Sequence, residues 1–125
     1  MDYVFFSRGT DFLLNRRNGK DIWQGLYDFH ILKEEHKLRT EEEVMKEIKG
    51  IGNGNDTMQF RSSRDYEQIL SHQNIYARIS RIELSSSKDL QKIAEKTSMG
   101  KFSINKIGAL PKPVLINKYL NDEIF

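Results

Sequence analysis

Four glutamates within the segment TEEEVMKEIKGIG are the first residues in this chain whose spacing could do chemistry. They are Glu41, Glu42, Glu43 and Glu47. Carboxylates from neighbouring turns of a helix can converge on a hard divalent cation such as Mg²⁺, and that cation can bridge the oxygens of a diphosphate. A metal-dependent hydrolase is therefore the first hypothesis, and the spacing of the carboxylates decides whether it holds.

The same segment has the signals of a helix over Thr40–Lys49. Thr40 can cap the helix, and Glu43 three places on completes a capping-box pattern. Acidic residues fill the first turn and lysines the last, which suits the helix dipole, and Gly50 ends the pattern. The apolar stripe consists of Val44, Ile48 and Ile51. The three glutamates of the first turn are thus explained as surface charge.

The spacing of this helix resembles that of a Nudix hydrolase, with a defect at the metal site. The Nudix box needs an Arg-Glu-hydrophobic triplet followed, one residue later, by two adjacent metal-binding glutamates. Lys46, Glu47 and Ile48 align with the triplet, which places Gly50 and Ile51 where the two glutamates should stand. Since neither side chain carries an oxygen ligand, the helix looks like a Nudix helix whose metal site is missing.

The rest of the chain predicts one α+β domain over residues 1–125, with a mixed sheet and the Thr40–Lys49 helix packed on one face. Strands are expected over 3–6, 12–14, 22–32, 66–70 and 74–84. Residues 52–60 read as a turn-rich loop, residues 85–102 carry a weak helical signal, and Val114 to Leu120 can form a short helix that closes the domain. Trp23 is expected in the core.

Composition limits the classes of function. The chain has 125 residues, no cysteine and a net charge of +2. Disulfides, thiolate zinc sites and cysteine-held iron–sulfur clusters are therefore excluded, and the mild charge permits nucleic acid as a partner without arguing for it. No apolar run approaches a membrane span, and a cytoplasmic location is expected.

Three segments resemble the C-terminal domain of the MutY adenine DNA glycosylases. The first segment, FLLNRRNGKDIWQGLYDF, is similar to the family's stretch of Leu-Leu, Arg-Arg, Gly-Ile/Leu-Trp and Gly-Leu-Trp/Tyr-Glu-Phe. The second, ILSHQNIYARISRIEL, is similar to the family's Phe-Ser-His loop and the long strand that follows it. The third, GALPKPVLINKYL, is similar to the family's Leu-Pro-x-Pro sequence and closing helix. The resemblance spans Phe12 to Leu120. Leu70 stands where the family has phenylalanine, Asp28 replaces a glutamate, and His30 replaces a proline.

The resemblance implies a Nudix-like fold and a non-catalytic role in base-excision repair. MutY enzymes remove adenine mispaired with 8-oxoguanine, and their N-terminal domain carries the catalytic carboxylates and a four-iron iron–sulfur cluster. The C-terminal domain helps to identify the lesion. This chain is accordingly expected to be a fragment of a longer glycosylase, without a cofactor of its own. Its expected partners are double-stranded DNA containing 8-oxoguanine opposite adenine and the N-terminal catalytic domain.

By the same resemblance, the SHQN segment contacts the lesion. Guanine offers acceptors at N7 and O6, and oxidation turns N7 into a donor that a serine hydroxyl can accept from. Ser71 takes this role, His72 can donate to a phosphate or base edge, and Gln73 can add an amide contact. The candidate lesion-binding residues are Leu70, Ser71, His72 and Gln73, and the candidate phosphate contacts are Arg16 and Arg17.

The residues of these candidate contacts also suit ordinary structural roles. Ser, His, Gln and Asn are common in a tight hairpin turn, and two arginines at a turn are commonly solvated. Two alternative functions stay open: a Nudix hydrolase acting on nucleoside diphosphate-linked substrates, and a protein-interaction module on a degenerate Nudix fold. If the Ser71-His72 segment packs inside the fold, DNA recognition loses its main support.

Overall fold

The structure, a computed structural model, describes residues 1–16, 25–35, 37–51, 58–69, 71–72 and 74–125, with the backbone alone for Gln68. The strands of this part of the chain are β1 Asp2–Arg8, β2 Asp11–Arg16, β3 Tyr27–Asp28, β4 His30–Ile31, β5 Met58–Ile69, β6 Asn74–Leu84 and β7 Gly100–Ser103. Its helices are α1 Glu41–Lys49, α2 Ser87–Thr97, α3 Ile104–Ile107 and α4 Val114–Glu123.

The strands form one mixed sheet with β1 in its middle. The order across the sheet is β3-β2-β1-β6-β5, while β4 pairs with β1 and β7 pairs with β2. β1 and β6 run parallel, from the pair Asp2↔Arg78 to the pair Ser7↔Glu83. The other pairings are antiparallel. The predicted α+β fold, a mixed sheet flanked by helices, is confirmed.

Both faces of the sheet are buried, and β1 contributes to each. Val4 and Phe6 pack in one core with α1 and α2, whereas Tyr3 and Phe5 pack in a second core with α3 and α4. Successive side chains of a strand point to opposite faces, so a strand that is covered on both sides is apolar at nearly every position. The described residues therefore form three layers, with the sheet between two pairs of helices.

Helix α1 begins as the sequence predicts. The Thr40 side chain accepts a hydrogen bond from the Glu43 amide at 3.2 Å, and the Thr40 amide donates to Glu43 Oε1 at 3.2 Å. Each bond satisfies a backbone donor that the helix itself leaves unpaired. Val44 and Ile48 are buried against the sheet. The capping box and the apolar stripe are thus confirmed.

Several boundaries differ from the prediction. Residues 52–60 are not all loop, because β5 begins at Met58 and pairs along its length with β6. β7 and α3 have no counterpart in the prediction. The expected strand over 22–32 appears in its described part as two short strands, one pairing with β2 and the other with β1. The C-terminal helix forms as predicted and continues to Glu123. Trp23 lies outside the described residues.

Among the described residues, no helix is long and apolar enough to cross a membrane.

Candidate nucleic-acid interface

The β5–β6 hairpin projects beyond the rest of the sheet. β1 accompanies β6 only from Arg78 onward, whereas β5 stays paired with β6 as far as Ile69↔Asn74. Four residues of β6, from Asn74 to Ala77, therefore precede its pairing with β1. At a rise of about 3.3 Å per residue, the hairpin extends about 13 Å past Asp2, and Met1 still bonds Tyr76 along this stretch.

Ser71 and His72 lie at the tip of this hairpin. Both form a bend between the strands, and both are exposed. Ser71 and His72 therefore do not pack inside the fold, which was the condition under which DNA recognition would have lost its main support. Leu70 and Gln73, the other two residues predicted for the tip, lie outside the described residues.

The projecting hairpin is held at its base by charged side chains. Arg78 donates from Nε and Nη2 to the two carboxylate oxygens of Asp65 across the strand pair, at 2.6 and 2.8 Å. Arg78 Nη1 also donates to the backbone carbonyl of Arg39 at 2.8 Å, which ties the hairpin to the segment before α1. The hydrogen bond from Arg78 and its positive charge hold the pKa of Asp65 below its usual range. A two-pronged bond of this kind restricts the orientation of both partners.

A second tie joins the hairpin to α4. The Tyr66 hydroxyl donates to Asp122 at 2.9 Å, and Arg64 bonds Glu123 at 2.9 Å. Burial, followed by the hydrogen bond to Asp122, raises the pKa of Tyr66. The base of the hairpin is thus anchored to α4 and to the segment before α1, while Ser71 and His72 at the tip are exposed.

One flank of the hairpin carries exposed apolar side chains that the sequence analysis did not single out. Ile69 is 74% exposed and Tyr76 is 55% exposed. Because Ile69 pairs with Asn74 and Glu67 pairs with Tyr76, the two apolar residues are diagonal neighbours on one face. The hydrogen bond with Glu67, and then the charge of Glu67, raise the pKa of Tyr76.

This flank borders an open groove of about 610 Å³ beside the first residues of β6. The groove is lined by Met1, Glu34, Glu35, Lys37, Leu38, Asn74, Ile75 and Tyr76. The N-terminal amine of Met1 donates to the backbone carbonyl of Tyr76 at 2.7 Å. The start of β1 therefore closes one wall of the groove.

Arg16 lies at the same end of the sheet as the hairpin tip. β2 runs antiparallel to β1, so its last residue stands where β1 begins. Arg16 is exposed and pairs with Tyr27 of β3. A Cβ atom placed on Gly25 would lie 3.9 Å from Arg16 Nη2, so the guanidinium runs beside the Gly25 backbone. Arg17, the other predicted phosphate contact, lies outside the described residues.

The cleft beside α1 contains the residues that align with the Nudix metal ligands. Glu47, Gly50 and Ile51 line a space of about 720 Å³ together with His30 and Lys96. Glu47 Oε1 accepts from Arg39 Nη2 at 3.2 Å. The one aligned carboxylate therefore has a guanidinium partner within the fold.

The glutamates of the first turn of α1 are exposed and lie at the opposite end of the helix from Gly50. The backbone hydrogen bond from Thr40 holds the pKa of Glu43 below its usual range, with the Thr40 side chain adding to the effect. Among the described residues, no group of three or more acidic or histidine side chains is placed to hold a metal ion.

Fold and site together define an α+β molecule with a polar turn presented on a projecting hairpin. No family model, curated protein or solved structure matches the chain.

Proposed function

We propose that the chain is a DNA-binding module of the MutY type, with a Nudix-like fold, that recognises 8-oxoguanine for an adenine DNA glycosylase. In this proposal the chain performs no chemistry itself. The catalytic carboxylates and the four-iron cluster belong to an N-terminal domain of a longer protein.

The exposed position of Ser71 and His72 on the projecting hairpin is the observation that carries the proposal. A base edge inside a DNA groove is read by side chains that extend from the protein into that groove. The Ser71 hydroxyl can accept from the N7 proton of 8-oxoguanine, and His72 can donate to a neighbouring phosphate or base edge. Arg16, exposed at the same end of the sheet, is placed to add a contact with the DNA backbone.

The charge of the chain limits what it can do alone. A net charge of +2 neutralises few phosphates, so the isolated chain should bind duplex DNA weakly, with a dissociation constant on the order of 10⁻⁴ M or higher at physiological salt. Lesion recognition then requires the catalytic domain to hold the duplex against the hairpin tip.

A chemical-shift titration tests the proposal on the isolated chain. ¹⁵N-labelled protein is titrated with a duplex containing 8-oxoguanine opposite adenine and with a matched duplex containing guanine opposite adenine. The amides of Ser71 and His72 should shift with both duplexes and shift further with the oxidised one. Ser71→Ala should remove the difference between the duplexes, whereas the control Ser63→Ala, at an exposed position of β5, should keep it.

If neither duplex moves the amides of the hairpin tip, the proposed interface is wrong. Shifts of equal size for the two duplexes would leave DNA binding but remove lesion recognition.

A protein-interaction module is a second candidate, and the exposed Ile69 and Tyr76 favour it. Apolar side chains beside an open groove are typical of surfaces that bind other proteins. Under this function, Tyr76→Ser would abolish binding of a protein partner, and the duplex titration would leave the tip amides unmoved. The same titration therefore separates the two candidates.

A further inference from the structure

A separate cleft of about 410 Å³ lies at the end of the sheet opposite the hairpin tip. It lies where β1 ends, and its walls include Arg8, Gln59, Arg61, Glu83 and Ser85. From Asn74 to Leu84, β6 runs the length of the sheet, about 33 Å at 3.3 Å per residue. The two places are therefore too far apart to contact the same nucleotide.

The two arginines of this cleft have no acidic partner in the described part of the chain. No carboxylate oxygen there lies within 4.0 Å of either guanidinium, although Arg39, Arg64 and Arg78 all have such partners. The Nε atom of Arg8 is shielded from solvent and has no hydrogen-bond acceptor among the described residues. An anion that approaches the outer nitrogens of either guanidinium would therefore have no described carboxylate to displace.

Among the described residues that line this cleft, Glu83 is the one carboxylate, and it is engaged elsewhere. Its Oε2 accepts from the Ser7 hydroxyl at 2.8 Å, and its Oε1 accepts from the Gly9 amide at 2.9 Å. Both bonds hold the β1–β2 turn in place. Glu83 lowers the positive potential of the cleft, but it forms no ion pair with Arg8 or Arg61 that an anion would have to displace.

Two further features favour an anion here. Helix α2 begins two residues after Ser85, with Ser86 as its N-cap, so the partial positive charge of its N-terminus lies near the cleft, although Asp89 in its first turn offsets part of that charge. Ser85 and Gln59, whose side chains can donate hydrogen bonds, are among the residues that line the cleft. These features add to the arginines, which remain the main attraction.

We propose that this cleft binds a phosphate group, held by the guanidinium groups of Arg8 and Arg61. Guanidinium forks match the geometry of phosphate oxygens. Free phosphate and a phosphodiester of a DNA strand share this chemistry. Only the phosphodiester source rests on the proposed function; the phosphate site itself does not depend on it.

Titration of the ¹⁵N-labelled chain with inorganic phosphate, against sodium chloride at equal ionic strength, tests the site. The amides of Gly9, Gln59, Arg61 and Ser85 should move along a saturable curve at millimolar phosphate. Arg8→Gln combined with Arg61→Gln should weaken binding by about tenfold or more, because two charge-assisted contacts are lost. The control Lys46→Gln with Lys49→Gln removes the same charge from the exposed end of α1 and should leave the curve unchanged.

A single Arg61→Gln variant keeps the test valid if the double variant does not fold, because Arg61 is exposed. Equal phosphate binding by the Arg61→Gln chain and the wild-type chain would overturn the proposal, as would equal weakening in the lysine control.

Adding duplex DNA to the phosphate-saturated chain shows whether the bound phosphate group is that of free phosphate or of a DNA strand. Displacement of phosphate would assign the site to a DNA phosphodiester, whereas retention would assign it to free phosphate, and both outcomes support the cleft. A failure of the proposed lesion recognition can be distinguished from a failure of the phosphate site. The first is measured at the amides of Ser71 and His72, and the second at the amides of the cleft.

Discussion

Two polar clusters at one end of the sheet differ in where their bonding groups point. Around Arg39, charged side chains bond to one another, and the central pair of Arg39 and Asp2 is buried. At the hairpin tip, Ser71 and His72 face the solvent. The two clusters illustrate two roles of polar residues. Side chains that bond to other groups of the protein hold its elements in position, whereas side chains that face the solvent are free to bind a ligand.

The Arg39 cluster joins the start of β1, the segment before α1, and α1 itself. Arg39 and Asp2 are each 3% exposed, and Arg39 Nη1 donates to Asp2 Oδ2 at 3.1 Å. The Arg39 amide donates to both oxygens of the same carboxylate, at 3.3 and 3.2 Å. Arg39 Nη2 bonds Glu47 at 3.2 Å and the Lys33 carbonyl at 2.5 Å. Lys33 and Arg39, which lie on either side of this segment, are thus bonded to each other.

The largest expected effect breaks this internal cluster. Arg39→Met should lower the free energy of unfolding by about 3–5 kcal/mol, because it leaves the Asp2 carboxylate buried without its cation. Urea denaturation of the variant and the wild type measures the difference.

Arg64→Met is the matched control for Arg39→Met. Arg64 pairs with Glu123 at the surface, so its loss should cost about 0–1 kcal/mol. Replacing both buried partners, with Arg39→Met and Asp2→Leu, should recover part of the loss. If Arg39→Met lowers the free energy of unfolding no more than Arg64→Met does, the Arg39 cluster does not have the structural role that distinguishes it from the hairpin tip.

Substitutions at Ser71 or His72 should change DNA recognition and leave the free energy of unfolding unchanged. If the chain belongs to an adenine DNA glycosylase, as proposed, Ser71→Ala in that full protein should reduce the preference for adenine opposite 8-oxoguanine over adenine opposite guanine by about 1–2 kcal/mol, since one hydrogen bond to a base edge is lost. Glycosylase kinetics on the two duplexes give the ratio. An unchanged ratio would show that the segment is a hairpin turn without a role at the lesion.

Helix α1 offers a smaller test of the internal bonds. Thr40→Ala removes the acceptor for the Glu43 amide and should cost about 1 kcal/mol of folding free energy. The control Glu42→Ala changes an exposed residue of the same turn and should cost less than about 0.5 kcal/mol. Both values come from urea denaturation, and similar losses for the two variants would mean that the cap adds little.

The smallest effect concerns His30, which lies beside Glu47 in the α1 cleft. Burial lowers the pKa of His30, and the negative charge of Glu47 opposes that shift. A histidine whose pKa is lowered by folding stabilises the fold fully above the unfolded pKa of about 6.5, and this stability is lost as the pH falls toward the folded pKa. From about pH 7 to about pH 5, His30→Gln should therefore lose stability less steeply than the wild type.

An NMR titration of the imidazole checks the cause directly. Glu47→Gln removes the opposing charge and should lower the pKa of His30 further. A higher pKa in that variant would contradict the assigned electrostatics.

The parts of the fold that could be read from sequence are those whose signals are local. The Thr40–Glu43 capping box needs only four consecutive residues, and it defines the start of α1. β7 could not be read in this way, because Gly100–Ser103 is a strand only through its pairing with residues 11–14 of β2. The early start of β5 at Met58 likewise depends on its pairing with the end of β6.

In the candidate site, too, only the features with a local sequence signal could be predicted. A polar turn between two strands predicted that Ser71 and His72 would lie at a hairpin end, and they do. The exposure of Ile69 and Tyr76 could not be inferred, because alternation of apolar residues does not reveal where a covering layer stops. The cluster at Arg39 joins residues 37 positions apart and leaves no local pattern. Whether the tip touches a lesion stays a prediction.

The parallel pairing of β1 with β6 has a consequence for the order in which the chain folds. Ser7 and Glu83 are 76 positions apart, whereas the hairpin closes at Ile69↔Asn74. Closing a long loop costs more chain entropy than closing a turn, so the hairpin should form before the centre of the sheet. In pulse-labelled hydrogen exchange, the amides of the β5–β6 pairs should gain protection ahead of those that join β1 to β6. The hairpin that carries Ser71 and His72 would then form early, and the slow step of folding would be the pairing of β1 with β6.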